Sequence, residues 1–221
     1  MAITTILFDA GGTLVFPSFE RIGRELEADG FRADPAALAR ADASVRFGID
    51  RPEVIAATDD NSRFRRYLVA LAREIGIDQL PDPVFARLDA YHRVHNLWED
   101  VPPGVPAALE MLRGRFRLGL VSNSNGTVRA KLARLNLARF FETIVDSHEE
   151  GIEKPDPRIF HVALGHMGIA ANETAYVGDL FYVDVVGALA AGLKPFLLDP
   201  HDLHAGRTVR RIRTLEELAT T

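Results

Sequence analysis

The sequence predicts an α/β protein: a doubly wound parallel sheet, interrupted early by an inserted α-helical block. Three observations predict it. From residue 97 onward, short apolar runs alternate with amphipathic helical patterns, the arrangement of repeated βα units that packs a parallel sheet between two layers of helices. One further apolar run, Ile6-Leu7-Phe8, lies at the start of the chain. Between the two, residues 16–96 carry three- and four-residue apolar spacing with no convincing strand.

The first strand ends at Phe8 and is followed by Asp9-Ala10-Gly11-Gly12-Thr13-Leu14. This puts a carboxylate at the carboxyl end of a buried strand, where open α/β sheets take their ligands. The glycines let the chain turn sharply behind it. In the helical block, Ile22 and Leu26, the segment Pro35 to Phe47, and Phe64, Tyr67, Leu68 and Leu71 keep helical spacing. Asp34-Pro35 and Asp82-Pro83 read as helix starts, a capping residue before a first-turn proline. Beyond Leu97, helices are expected over 103–113, 127–135, 157–167 and 183–191, the last stopped by Gly192. They alternate with strands over 117–122, 143–146, 174–178 and 194–198. Residues 1–15 and 97–221 are therefore expected to form one α/β core, and residues 16–96 a helical domain inserted into it.

A chain of 221 residues can bury a substantial core. Its net charge of -5 argues against a nucleic-acid partner. The absence of cysteine excludes disulfides, thiolate metal sites and a cysteine nucleophile. No apolar run has the length of a membrane span and no secretory signal is visible, so a cytoplasmic protein without a membrane partner is expected. Lysine occurs only at positions 131, 154 and 194.

Four places carry chemistry, each following an apolar strand: Asp9, Ser122-Asn123, Lys154-Pro155, and Gly178-Asp179 with Asp184 five residues later. In a parallel sheet these strand ends share one edge, so the side chains can converge. Asp9, Asp179 and Asp184 are hard oxygen donors suited to Mg²⁺. Packed together they repel unless a cation or Lys154 neutralises them. With Ser122 and backbone amides as donors, the set could hold a phosphoryl group with Asp9 aligned for attack. Taken singly, each piece has an ordinary structural reading: a turn aspartate, a helix cap, a loop lysine, a first-turn carboxylate. It is their order, each after a strand in a βα background, that makes the signal.

These motifs, Asp9…Gly12-Thr13-Leu14, Ser122-Asn123, Lys154-Pro155-Asp156 and Gly178-Asp179…Asp184, resemble those of the haloacid dehalogenase (HAD) superfamily. The resemblance implies a Rossmann-like core with residues 16–96 as a helical cap of the family's first kind. It implies that Asp9 is the nucleophile of a covalent aspartyl intermediate, that Gly12, Ser122 and Asn123 bind the transferring group, and that Lys154 binds it too and steadies the nucleophile. It further implies Mg²⁺ held by Asp9, the Gly11 carbonyl, Asp179 and Asp184, and a small phosphorylated metabolite as substrate. The oligomeric state is left between monomer and weak dimer.

One position departs from the family. Most of its phosphatases carry, where this chain has Gly11, an aspartate that protonates the leaving alcohol and then activates water. A positioned acid or base is worth about 10²–10⁴ in rate, so slow turnover of alkyl phosphates is expected, and Gly11→Asp is expected to raise it. His92 and His95 are candidate replacements from the cap, although a lone helical histidine is more often structural. Residues 16–96 contain no lysine, which argues against the family's Schiff-base chemistry. Two alternatives remain: a 2-haloacid dehalogenase-type hydrolase, against which Gly178-Asp179 and Asp184 count, and an impaired metal- and phosphate-binding regulatory protein. Arg46 and Arg51 could bind an anion, with solvated surface arginines as the plainer expectation.

Overall fold

The computed structural model describes residues 2–220. The chain runs β1 (Thr5–Phe8), β2 (Phe16–Pro17), α1 (Phe19–Glu27), α2 (Pro35–Ile49), α3 (Pro52–Ala56), α4 (Asp60–Glu74), α5 (Asp82–His95), β3 (Trp98–Asp100), α6 (Gly104–Arg113), β4 (Arg117–Ser122), α7 (Val128–Arg134), β5 (Thr143–Asp146), α8 (Ser147–Glu150), α9 (Pro157–Met167), β6 (Thr174–Gly178), α10 (Val186–Ala190), β7 (Lys194–Leu198) and β8 (Arg210–Ile212). Six strands form one parallel sheet in the order β5-β4-β1-β6-β7-β8. β1 lies between β4 and β6, with Phe8 level with Leu120 on one side and Val177 on the other.

Strand alternation explains the two cores of the sheet. Ile6 and Phe8 face one side with Leu118, Leu120 and Val177, and Leu109 and Leu132 of α6 and α7 cover them. Leu7 faces the other with Val121 and Tyr176, covered by Ile159 and Phe160 of α9 and Ala188 of α10. β1 is fully buried, as a strand covered on both faces must be. Helices α1, α2, α4 and α5 build a separate core from Leu26, Leu38, Phe64, Leu68, Leu71 and Leu88. Asp34 caps α2 by accepting from the Ala36 N–H at 3.0 Å, as expected. Asp82 does not cap: it is already the first helical residue of α5, after Pro81, and the cap position makes no side-chain hydrogen bond.

Three features differ from the sequence expectation. The chain leaves the sheet through β2 and returns through β3, and these short strands pair antiparallel, Phe16 with Asp100 and Pro17 with Trp98. At two and three residues they are too short for any periodicity to reveal them. The helix expected over 183–191 starts earlier, with a π-helical turn over Phe181–Val185 that runs into α10. β8, whose sequence is Arg-Arg-Ile, extends the sheet at its edge.

Candidate active site

The site assembles at the carboxyl edge of β1, β4 and β6. Asp9 directly follows β1, and its N–H donates to the Val177 carbonyl of β6 at 2.8 Å. The turn after it is tied by the N–H groups of Leu14 and Val15 to the Ala10 carbonyl, while the Gly12 N–H donates to Val15. Gly12, expected to bind the transferring group, thus spends its N–H on the turn. What Gly12 contributes is space: at φ +82, a Cβ there would lie 2.6 Å from an Asp179 carboxylate oxygen. The Gly11 carbonyl accepts none of the turn's backbone hydrogen bonds.

Lys154 is the centre of the charge network. Its buried Nζ donates to Asp9 Oδ1 at 2.5 Å, to Asp184 Oδ1 at 2.8 Å and to the Tyr176 hydroxyl at 2.8 Å. The Leu180 N–H donates to the other oxygen of Asp184 at 3.0 Å. A Cβ on Gly178 would fall 2.4 Å from the Asp184 carboxyl carbon, so only glycine lets that carboxylate fold back against the strand end. Burial disfavours the Lys154 charge, but Asp184 and Asp9 outweigh it and hold its pKa above the usual lysine value. Burial pushes the Asp9 carboxyl up to about 7, against the pull of Lys154 and with the push of Asp184 and Asp179. Asp179 rises to about 6 for the same first reason, with Arg46 opposing. Asp9, Asp179 and Asp184 each offer an oxygen, all within 4.8 Å of one another. Three hard, crowded carboxylates fit a small divalent cation such as Mg²⁺.

The β4 end is used in two ways. The Ser122 hydroxyl lines the cavity above Asp9 and donates to the Asn123 carbonyl at 3.2 Å. Asn123, expected to bind substrate, has both ends of its side-chain amide engaged: Nδ2 donates to the Lys154 carbonyl at 3.0 Å and Oδ1 accepts the Lys154 N–H at 2.8 Å. Its side chain braces the Lys154 backbone.

The helical block and β3, the strand that returns from it, close over this edge. Trp98 places its indole on Gly11, where a Cβ would lie 3.1 Å from Cδ1 and 3.3 Å from Nε1. A Cβ at position 11 would press on the indole, so a Gly11→Asp carboxylate requires Trp98 to shift by a few tenths of an ångström. Arg46 is not a solvated surface arginine. It bonds to Asp179 Oδ2 and, through Nε at 2.9 Å, to Asp42, which accepts from the Tyr67 hydroxyl at 2.8 Å. Arg51, by contrast, is exposed. Asp50 accepts the Tyr182 N–H at 3.0 Å, and Arg63 pairs with Glu153 at 2.8 Å, tying α2 and α4 to the turns that carry Asp184 and Lys154. His95 is exposed and stands apart from the cavity. His92 lines it, but its Nδ1 accepts the Leu97 N–H at 3.1 Å, and burial holds its pKa down to about 4. It is therefore neutral at pH 7 and unable to act as the missing acid.

Sequence reasoning passed over Tyr176, Trp98, Ser124, Asp60 and Lys131, all placed at or beside the same cavity. Lys131 had a signal: with Val128 and Leu132 it sits on the buried stripe of α7 at positions i, i+3 and i+4.

A parallel sheet whose strand ends carry Asp9, Ser122 and Asp179, with an inserted helical block, is the architecture of one class of hydrolase. The chain belongs to the haloacid dehalogenase-like hydrolases, whose family model matches residues 3–192. It is 32% identical over 194 residues to a glyceraldehyde 3-phosphate phosphatase of Methanopyrus kandleri, covering 86% of this chain and 82% of that one. It is 32% identical over 170 residues to a phosphoserine phosphatase of Thermus thermophilus, covering 75% and 67%. Among solved structures, a magnesium-bound HAD hydrolase, YfnB of Bacillus subtilis, superposes with a TM-score of 0.73 at 22% identity, covering 100% of this chain and 98% of that one, a likeness of fold. No helix among the described residues is long and apolar enough to cross a membrane.

Proposed function

We propose that the protein is a Mg²⁺-dependent phosphohydrolase of a small phosphorylated metabolite, with Asp9 as the nucleophile. The observation that carries this is the ammonium of Lys154 bridging Asp9 and Asp184 while Asp179 stands within 4.8 Å of both. Asp9, the Gly11 carbonyl, Asp179 and Asp184 would hold the cation. When bound, Mg²⁺ supplies charge neutralisation for the carboxylates and the phosphoryl oxygens. Lys154 fixes one oxygen of Asp9, leaving the other to attack phosphorus, and Ser122 donates to the phosphoryl group. Attack forms an Asp9 acyl phosphate and breaks the bond to the leaving oxygen; water then cleaves the acyl phosphate, releasing phosphate and restoring the carboxylate.

Proton delivery is the weak step. Trp98 lies where an acid would project, and an indole N–H donates a hydrogen bond without yielding its proton. Substrates whose leaving group needs no proton, aryl and acyl phosphates, are therefore expected to turn over faster than alkyl phosphates. The test offers an aryl phosphate, an acyl phosphate and a 2-haloacid, with and without Mg²⁺, to the wild type and to Asp9→Asn. Mg²⁺-dependent phosphate release that vanishes in the variant supports the reading. Metal-independent halide release contradicts it, and silence with phosphate still bound points to a regulatory binding protein.

A further inference from the structure

The cavity above Asp9 holds a second buried lysine. Lys131 projects from the buried stripe of α7, is 3% exposed and lines the same cavity as Asp9, Ser122 and Lys154. Its ammonium makes no hydrogen bond or ion pair among the described residues. Asp9, Asp146 and Asp60 act on it only from beyond contact distance. The other cations of the cavity are committed: Lys154 to Asp9 and Asp184, Arg46 to Asp42 and Asp179, Arg63 to the Thr58 carbonyl and Glu153. A bare ammonium in such surroundings is among the costlier arrangements a fold can hold, and removing it in favour of an apolar side chain is commonly stabilising.

A second orphan lines the same cavity. Ser124, two residues beyond Ser122, has a buried Oγ with no hydrogen-bond partner. Its position is fixed, because its N–H donates to Ser147 Oγ at 3.0 Å and its carbonyl accepts from that hydroxyl at 3.3 Å. Phe64 and Trp98 line the same cavity. A buried cation and a buried donor, both unpaired beside a phosphoryl site, call for an anionic acceptor that arrives with the substrate.

We propose that Lys131 and Ser124 form a specificity subsite for a second anionic group, a carboxylate or a second phosphate, on the part of the substrate that leaves with the alcohol. This rests on the phosphohydrolase reading above. A monoester with a neutral tail would leave Lys131 bare; one with a charged tail would pair it, and a charge-assisted hydrogen bond is strong.

The test compares 3-phosphoglycerate, propane-1,3-diol bisphosphate and glycerol 3-phosphate as inhibitors of p-nitrophenyl phosphate hydrolysis by the Mg²⁺-loaded protein. The two probes with an anionic tail differ from glycerol 3-phosphate in carrying the second anion. At least one of them is expected to inhibit at a concentration about tenfold or more below that of glycerol 3-phosphate, and the better one identifies the group. In Lys131→Gln that preference is expected to fall by about 10- to 100-fold, and in Ser124→Ala by a smaller factor. The preference is a ratio within each variant, so a general loss of activity cancels. Lys131→Met serves as the second variant: it should lose the preference and melt at a higher temperature than the wild type. Equal inhibition by all three compounds in the wild type, or an unchanged preference in the Lys131 variants, overturns the proposal. If no aryl phosphate is hydrolysed, the phosphohydrolase reading fails, and calorimetric titration of the same compounds into wild type and Lys131→Gln tests the subsite by itself.

Discussion

The two buried lysines of the cavity are treated in opposite ways. Lys154, between Asp9, Asp184 and Tyr176, is surrounded by acceptors, and its neighbours outweigh the cost of burial. Lys131 is equally buried without such partners, and burial wins, bringing its pKa down to about 8. The same side chain is thus satisfied at one place and unsatisfied at the other. The difference teaches where the site is complete in itself and where it waits for a ligand.

The largest expected effect comes from breaking the satisfied end. Lys154→Met leaves Asp9, Asp179 and Asp184 without their ammonium and should destabilise the protein by about 3–5 kcal/mol, measured by urea denaturation at pH 7 without added metal. The unsatisfied end should respond with the opposite sign. Lys131→Met should stabilise by about 1–4 kcal/mol in the same measurement. Its pH dependence follows from linkage. Between about 8 and 10.5 the unfolded chain retains a proton on Lys131 that the folded protein has released, so wild-type stability gains a rising contribution across that window. Lys131→Met should remove that contribution, and a difference between the two proteins that stays flat from pH 7 to 11 would break the comparison.

Two smaller effects sharpen the role of the helical block. Gly11→Asp should destabilise by about 1–3 kcal/mol because its Cβ meets the Trp98 indole. Combined with Trp98→Ala, which clears the space, the new acid should raise alkyl phosphate turnover over the Trp98→Ala single variant by up to about 10². The smallest effect concerns Arg46, which occupies an oxygen of Asp179. Arg46→Gln should tighten Mg²⁺ binding by a factor on the order of ten, since a nearby cation is removed. Trp98, the only tryptophan of the chain, gives the fluorescence signal for that titration.

The sheet and its strand ends were legible because each is local. β4, β5, β6 and β7 fall on the residues that the apolar runs predict, and Asp9, Ser122, Lys154, Asp179 and Asp184 stand together because parallel strands bring their ends to one edge. What was not legible depends on how the helical block meets the core. No spacing in the sequence announces that Trp98 covers Gly11 or that Arg46 reaches Asp179, because each contact joins residues far apart in the chain across two independently packed cores. Asn123 shows a third kind of limit: its position was read correctly, but whether its amide faces a ligand or braces the Lys154 backbone is decided only by the loop opposite it.

Covalent catalysis by Asp9 leaves a phosphorylated protein that an acid quench can trap. The protein is mixed with a radiolabelled acyl phosphate in the presence of Mg²⁺, quenched within the first turnover and digested. The account predicts label on the peptide containing Asp9, in acid-stable and alkali-labile linkage, absent without Mg²⁺ and absent in Asp9→Asn. Phosphate release with no labelled protein, or label on a different residue, would contradict it.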